Sequence, residues 1–169
     1  TKKKNLKELN FNKKNLKTVK KNIEKSSGII LINGKKNSNK TETVYTLLEE
    51  ISKHKKEIAT LEDPVEYKLK KVKQTQTNHR LNYDFSHGVK TLNKIADVIY
   101  VSHLKNKKTF NEFFKSSLSG HLIISSLSTE NIQQSLRFLY KLNLDPFLLS
   151  SNLNLIVCQK MLPALCPHC

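Results

Sequence analysis

Four short apolar runs, each rich in β-branched residues and set apart by stretches with helical periodicity, constrain the fold more than any other feature of the chain. They are Gly28-Ile29-Ile30-Leu31-Ile32, Ile58 to Leu61, Asp97-Val98-Ile99-Tyr100-Val101 and His121-Leu122-Ile123-Ile124-Ser125. A continuous apolar run has no polar side to turn to water, so each strand must be covered on both faces, as in a parallel sheet. The intervening segments supply the cover. Val44, Leu47, Leu48 and Ile51 share one side of a helix predicted from about Lys40 to Ser52. Further helices are predicted near Asp84 to Lys94, Lys107 to Ser117, Glu130 to Lys141 and Pro146 to Met161. Strands alternating with helices of this length give an α/β fold with a mostly parallel sheet flanked by helices. Two segments depart from the alternation. Residues 65 to 77, with Tyr67, Leu69 and Val72 in near-alternation, predict an antiparallel β-hairpin excursion after the second strand. Residues 1 to 12 are rich in Lys and Asn and read as frayed, ahead of an amphipathic helix marked by Leu16, Val19, Lys20 and Ile23.

At 169 residues the chain reads as one domain, able to bury roughly 70% of the surface its unfolded form exposes. The expected division is a basic segment and leading helix over residues 1–27, then the α/β core over residues 28–169. The chain opens on Thr1 and stops abruptly at Cys169, which suggests a piece of a longer protein. A net charge of +16 raises the possibility of a nucleic-acid partner, since neutralised phosphates release counterions. The distribution points elsewhere. Lysines run through every segment and Arg, the residue suited to bidentate contacts with guanine or phosphate, stands only at positions 80 and 137. A solvated surface is the reading, with no dedicated nucleic-acid role; a basic nucleic-acid binder stays as a minor alternative that steep salt dependence would reveal. Three cysteines make no disulfide framework and no cleavable signal opens the chain, so a reducing, cytoplasmic setting is expected.

The turn after Leu31 is where an α/β sheet binds phosphate, because free backbone N–H groups and the helix dipole converge there. It reads Gly34-Lys35-Lys36-Asn37-Ser38-Asn39-Lys40-Thr41. This fits the phosphate-loop pattern Gly-x-x-x-x-Gly-Lys-Ser/Thr except at Asn39, where the second glycine is expected. Taken alone, the loop also fits an ordinary strand-to-helix turn.

Further blocks occur in a fixed order: Thr60-Leu61-Glu62-Asp63-Pro64-Val65-Glu66-Tyr67, then Gln74-Thr75-Gln76, Asp97-Val98-Ile99, Ser119-Gly120-His121-Leu122 and the terminal Leu165-Cys166-Pro167-His168-Cys169. With these blocks the chain, from about Leu6 to Cys169, resembles the ATPase family of type II secretion and type IV pilus assembly. Gly28, Gly34, Gly88 and Gly120 all fall where that family has glycine. The resemblance implies a RecA-like motor domain that works as a homo-hexamer. It also implies ATP with Mg as cofactors, a membrane platform protein as partner, and a cytoplasmic location at the periphery of the inner membrane. It implies roles too. Gly34, Asn37, Ser38, Asn39, Lys40 and Thr41 would form the nucleotide loop, with Lys40 at the β/γ-phosphates and Thr41 holding magnesium. Glu62 and Glu66 would face the γ-phosphate side, and His121 would be a catalytic position. Glu62 and Glu66 also fit as flanks of a turn at Pro64, and His121 as a hydrogen-bonded strand-end residue.

The departures from the family pattern bear on activity. The two inner glycines of its loop correspond to Asn37 and Asn39. Asn tolerates left-handed backbone angles, so the turn survives, but its side chain occupies space that phosphate needs beside the main chain. Where the family has Gly-Glu-Ile-Arg-Asp, this chain has Ser102-His103-Leu104-Lys105-Asn106, so His103 replaces the carboxylate that orients the attacking water. Loss of a general base typically lowers rates ~10²–10⁴-fold. Lys90 and Lys105 replace arginines, losing the planar fork, and Ser128 replaces the family's second histidine. These replacements predict weak nucleotide binding and slow or absent hydrolysis, or else an inactive scaffold subunit. Cys166 and Cys169 have the spacing of half a zinc site, completed in part of the family by a second pair further on. Cys158 reads as a small core residue in an apolar helix.

Overall fold

The computed structural model describes residues 5–78, 80, 83–104 and 106–162. Its elements run α1 (Lys13–Ile23), β1 (Gly28–Asn33), α2 (Lys40–Ile51), β2 (Ile58–Glu62), β3 (Lys73–Gln76), α3 (Phe85–Leu92), β4 (Val98–Val101), α4 (Lys107–Leu118), β5 (Leu122–Leu127), α5 (Ile132–Lys141), α6 (Pro146–Asn152) and β6 (Leu153–Cys158). The strands form one six-stranded sheet in the order β3-β2-β4-β5-β1-β6, and every pairing is parallel. The apolar runs explain this. β1, β2, β4 and β5 are buried at every residue, so neither face of the central sheet can meet water.

Two apolar layers cover it. Ile30, Ile32, Val98, Tyr100 and Ile124 pack with α1 and α2 through Val19, Ile23, Val44, Leu47 and Leu48. Ile29, Leu31, Ile99, Val101 and Ile123 pack on the other side with Val89, Phe110, Phe113 and Leu139. Successive residues of one strand therefore feed opposite layers, the period of two that a pleated strand dictates. α3 lies hard against β2. A Cβ built on Gly88 would stand 2.2 Å from Leu61 Cδ2, so a larger residue at this crossing would force the Leu61 side chain to move.

Three segments differ from the sequence expectation. Residues 6–9 form a short 3₁₀ turn and Leu6 is 3% exposed within the α1/α2 layer, so this stretch is anchored and not frayed. The expected hairpin after β2 is replaced by a crossover into β3, which pairs parallel to β2 in the register Ala59↔Lys73 to Glu62↔Gln76. Side-chain hydrogen bonds from one residue shape that crossover. Gln74 accepts from Leu69 N at 2.8 Å and donates to Tyr67 O at 3.0 Å, contacts that residue alternation does not encode. Finally, the helix expected over 146–161 stops at Asn152 and the chain becomes β6, parallel to β1. β1 would otherwise present a bare row of backbone donors and acceptors, and pairing overrides a sequence of ambiguous period. Cys158 consequently ends an edge strand and is exposed, in place of the core position expected for it.

Candidate functional site

In an all-parallel sheet every strand delivers its C-terminal end to the same rim, and the loop 34–39 leaves β1 at that rim to start α2. Asn37 has φ 65° and Asn39 φ 58°, both left-handed. Asn visits that region more readily than other non-glycine residues, for which it costs roughly 1–2 kcal/mol. The loop thus keeps a turn built for glycine. Ser38 stabilises it internally, with Oγ donating to Lys35 O at 2.8 Å.

The start of α2 differs from the other helix starts. Asn12, Asp84, Asn106, Asn131 and Asp145 each cap their helices by accepting backbone N–H groups. Asn39, held left-handed, makes no such bond, so the first turn of α2 has no side-chain cap. Uncapped N–H groups at the positive end of a helix dipole are the physical basis of phosphate sites. Lys40 Nζ turns back on the loop and donates to Gly34 O and Lys35 O, both at 2.7 Å. Burial holds its pKa below the usual lysine value.

Beneath the loop lies a small cavity of about 70 Å³ lined by Lys40, Thr41, Glu62, Asp63, Pro64, Glu66 and the ends of β4 and β5. Glu62, 1% exposed, forms its floor. Its carboxylate accepts from Tyr45 Oη, from Thr60 Oγ1 at 2.5 Å and from Gln74 Nε2 at 3.2 Å. A buried carboxylate needs such donors in place of water. Burial first, then the Glu62 contact, pushes the Tyr45 phenol well above its ordinary range, so Tyr45 remains a donor. Outside this floor a larger cleft of about 860 Å³ is lined by residues 36–42 with Glu66, Tyr67, His103 and Ser128.

The structure therefore brings Asn37, Ser38, Asn39, Lys40, Thr41, Glu62, Glu66 and His103 around adjoining cavities. Gly34 supports them from behind: a Cβ there would meet Ser38 Oγ at 2.3 Å and Gln159 O at 2.6 Å. His121 stands apart. It precedes β5, at the opposite rim from the loop and about 20 Å away along the strand. Its ring nitrogens face Ser116 O at 3.1 Å and Asn93 O at 2.9 Å, ties that join α4 and α3 to the sheet. The position matches the strand-end alternative for His121 and sets the residue apart from the loop cavities. Cys166, Cys169 and Lys105 lie outside the described residues.

Residue-level reading of the sequence missed Gln159. It follows β6, and its amide donates to Ser38 O at 2.6 Å while its carbonyl accepts from Thr43 Oγ1 at 2.8 Å. One side chain thus grips both the loop and the helix it feeds, a signal hidden while the segment reads as helix. Gln159→Ala is expected to raise hydrogen exchange at residues 34–39 by about tenfold, the equivalent of one or two lost hydrogen bonds, with little change in global melting. Unchanged loop exchange would show that the loop holds itself.

A family model described as Type II/IV secretion system protein matches residues 1–169. The chain belongs to this family. The type II secretion system protein E of Aeromonas hydrophila is 35% identical over 165 residues, covering 97% of this chain and 33% of that protein. The type IV pilus assembly ATPase TfpB of Acinetobacter baylyi is 34% identical over 145 residues, covering 85% of this chain and 25% of that protein. This member of the family thus spans a third or less of the length of these relatives. Among solved structures, the pilus retraction motor PilT with bound ADP superposes with TM-score 0.80 at 25% identity, over 96% of this chain and 50% of that one. The VirB11 ATPase of the Brucella suis type IV secretion system gives TM-score 0.66 at 17% identity, over 88% of this chain and 46% of that one, a likeness of fold. The resemblance drawn from the sequence blocks is therefore borne out at the level of family and fold.

Proposed function

We propose that this domain binds MgATP weakly at the α2 loop and hydrolyses it slowly, as a motor domain of a type II secretion or type IV pilus assembly system. The observation carrying the proposal is the loop itself. Asn37 and Asn39 hold left-handed angles in place of glycines and leave α2 uncapped beside Lys40 and Thr41. The likeness to a pilus retraction motor that holds ADP supports the same reading. Thr41, in the first turn of α2, lines a cavity that three carboxylates share, and a buried hydroxyl there, Ser102 Oγ, has no partner among the described residues. This set of oxygen donors fits magnesium. When bound, the ion neutralises charge on the β- and γ-phosphates. Lys40 would leave its two carbonyls to reach the phosphates, and loop N–H groups would orient them. At the position of the expected base stands His103, which can accept a proton but supplies no fixed negative charge.

The surrounding assembly belongs to the same proposal: a homo-hexamer on an inner-membrane platform protein, peripheral to the membrane, with zinc at Cys166 and Cys169 in a longer chain. No helix among the described residues is long and apolar enough to cross a bilayer. A second reading, an inactive scaffold subunit, draws on the hydrogen bonds of Lys40 to the loop carbonyls, which occupy its ammonium group internally.

Calorimetric titration with MgATP, alongside phosphate release, separates the two. Saturable binding that Lys40→Ala abolishes, with release ~10²–10⁴-fold below an active motor, is the expected result. Turnover at about 1 s⁻¹ or faster overturns the slow-hydrolysis reading. Absence of binding in the parent protein leaves the scaffold.

A further inference from the structure

We propose that Ser102 serves as an outer ligand for the nucleotide's divalent cation, its hydroxyl holding a water of the hydrated ion above Glu62. This inference rests on the nucleotide-binding reading. It starts from register. Leu61 pairs with Val101 and Val101 with Ser125, and Ser102 N continues the ladder by donating to Leu61 O at 3.0 Å. The next residue on each strand completes a row: Glu62 on β2, Ser102 after β4 and Ser126 on β5. Strand alternation sends all three to the face that carries Tyr45 and Tyr100, and all three line the 70 Å³ cavity under Lys40 and Thr41.

The outer members of the row have protein partners. Glu62 accepts its three hydrogen bonds, and Ser126 Oγ lies 3.4 Å from Tyr100 Oη. Ser102, between them and 8% exposed, has none among the described residues. A buried hydroxyl left unpaired costs about 1–3 kcal/mol, an expense relieved when a ligand supplies the partner. The other two such atoms, Thr77 Oγ1 and Asn93 Oδ1, are absent from the lining of the loop cavities.

Charge and size select the ligand. Three carboxylates, Glu62, Asp63 and Glu66, face one ammonium, Lys40, so the cavity favours a cation over a bare phosphoryl oxygen. Its 70 Å³ matches about two waters at ~30 Å³ each. The described residues contain no group of three His, Cys, Asp or Glu side chains placed to hold an ion, and magnesium keeps several waters in its shell, so a retained water is the contact open to Ser102. The family motif has glycine where Ser102 stands, so the hydroxyl is a feature of this chain.

The test uses Mn²⁺ as the probe, followed by its electron paramagnetic resonance in the protein–ADP complex. Ser102→Ala is expected to weaken Mn²⁺ binding about tenfold, the usual scale for an outer-shell ligand. Metal-free ADP affinity should stay unchanged and melting should hold or rise, since the variant removes an unpaired group. Unchanged Mn²⁺ affinity in a protein that still binds ADP overturns the role of Ser102 alone. A lower melting temperature overturns it as well, by exposing a protein partner for the hydroxyl. Failure of the parent to bind ADP with or without the metal overturns the nucleotide reading and this inference together.

Discussion

Phosphate release by the triple variant Asn37→Gly/Asn39→Gly/His103→Glu is expected to exceed that of the parent by about 10²-fold or more. His103 lines both the inner cavity and the outer cleft with Lys40 and Thr41, so a carboxylate at 103 faces the site it would serve. It supplies fixed negative charge where the imidazole supplies none. The loop substitutions act separately. Asn37 and Asn39 already hold φ near 60°, so glycine keeps the same turn and removes two side chains from the surface a phosphate approaches. The double loop variant should therefore tighten nucleotide binding, while His103→Glu alone should act on turnover. A triple variant that melts like the parent and gains no activity would show that something other than these three positions limits the rate.

Tyr45→Phe carries the largest stability effect expected of a single-atom change. Tyr45 is 1% exposed, stacks edge-on with Tyr67 at 4.6 Å between ring centroids, and donates to the Glu62 carboxylate. Removing its hydroxyl leaves a buried charge one donor short, a loss of about 1–3 kcal/mol. For a domain of this size that lowers melting by roughly 2–4 °C per kcal/mol. A double-mutant cycle with Glu62→Gln should return a coupling of about 0.5–3 kcal/mol, and zero coupling would refute the contact. The pH dependence has a definite sign. Burial and Glu62 raise the Tyr45 pKa in the folded protein, so its contribution is complete below the unfolded value of about 10 and declines as pH rises beyond it. The variant should lose less stability between neutral and strongly alkaline pH than the parent.

The central sheet and the phosphate loop were legible because their signals are local. Ile29 to Ile32 cannot avoid two-sided burial, and Lys40-Thr41 after a glycine-led turn is a short-range pattern. What escaped depends on partners distant in sequence. Leu153 to Cys158 has no decisive period, and it becomes a strand because β1 has an open side. Lys73 to Gln76 is polar at every position, and it joins the sheet through β2 and the hydrogen bonds of Gln74. His121 was the converse case. Its motif marked a place in a family, while its position before β5 puts it at the rim far from the loop.

Among the described residues β6 lies at the margin of the sheet, with β1 as its one neighbour strand, and its continuation carries Gln159 onto Ser38 and Thr43. Marginal strands peel away before central ones. Such peeling would unlatch the phosphate loop while the interior stayed folded. A pull on the polypeptide beyond β6 would thus be felt first where nucleotide is held, and tight occupancy of the loop would in turn resist that pull.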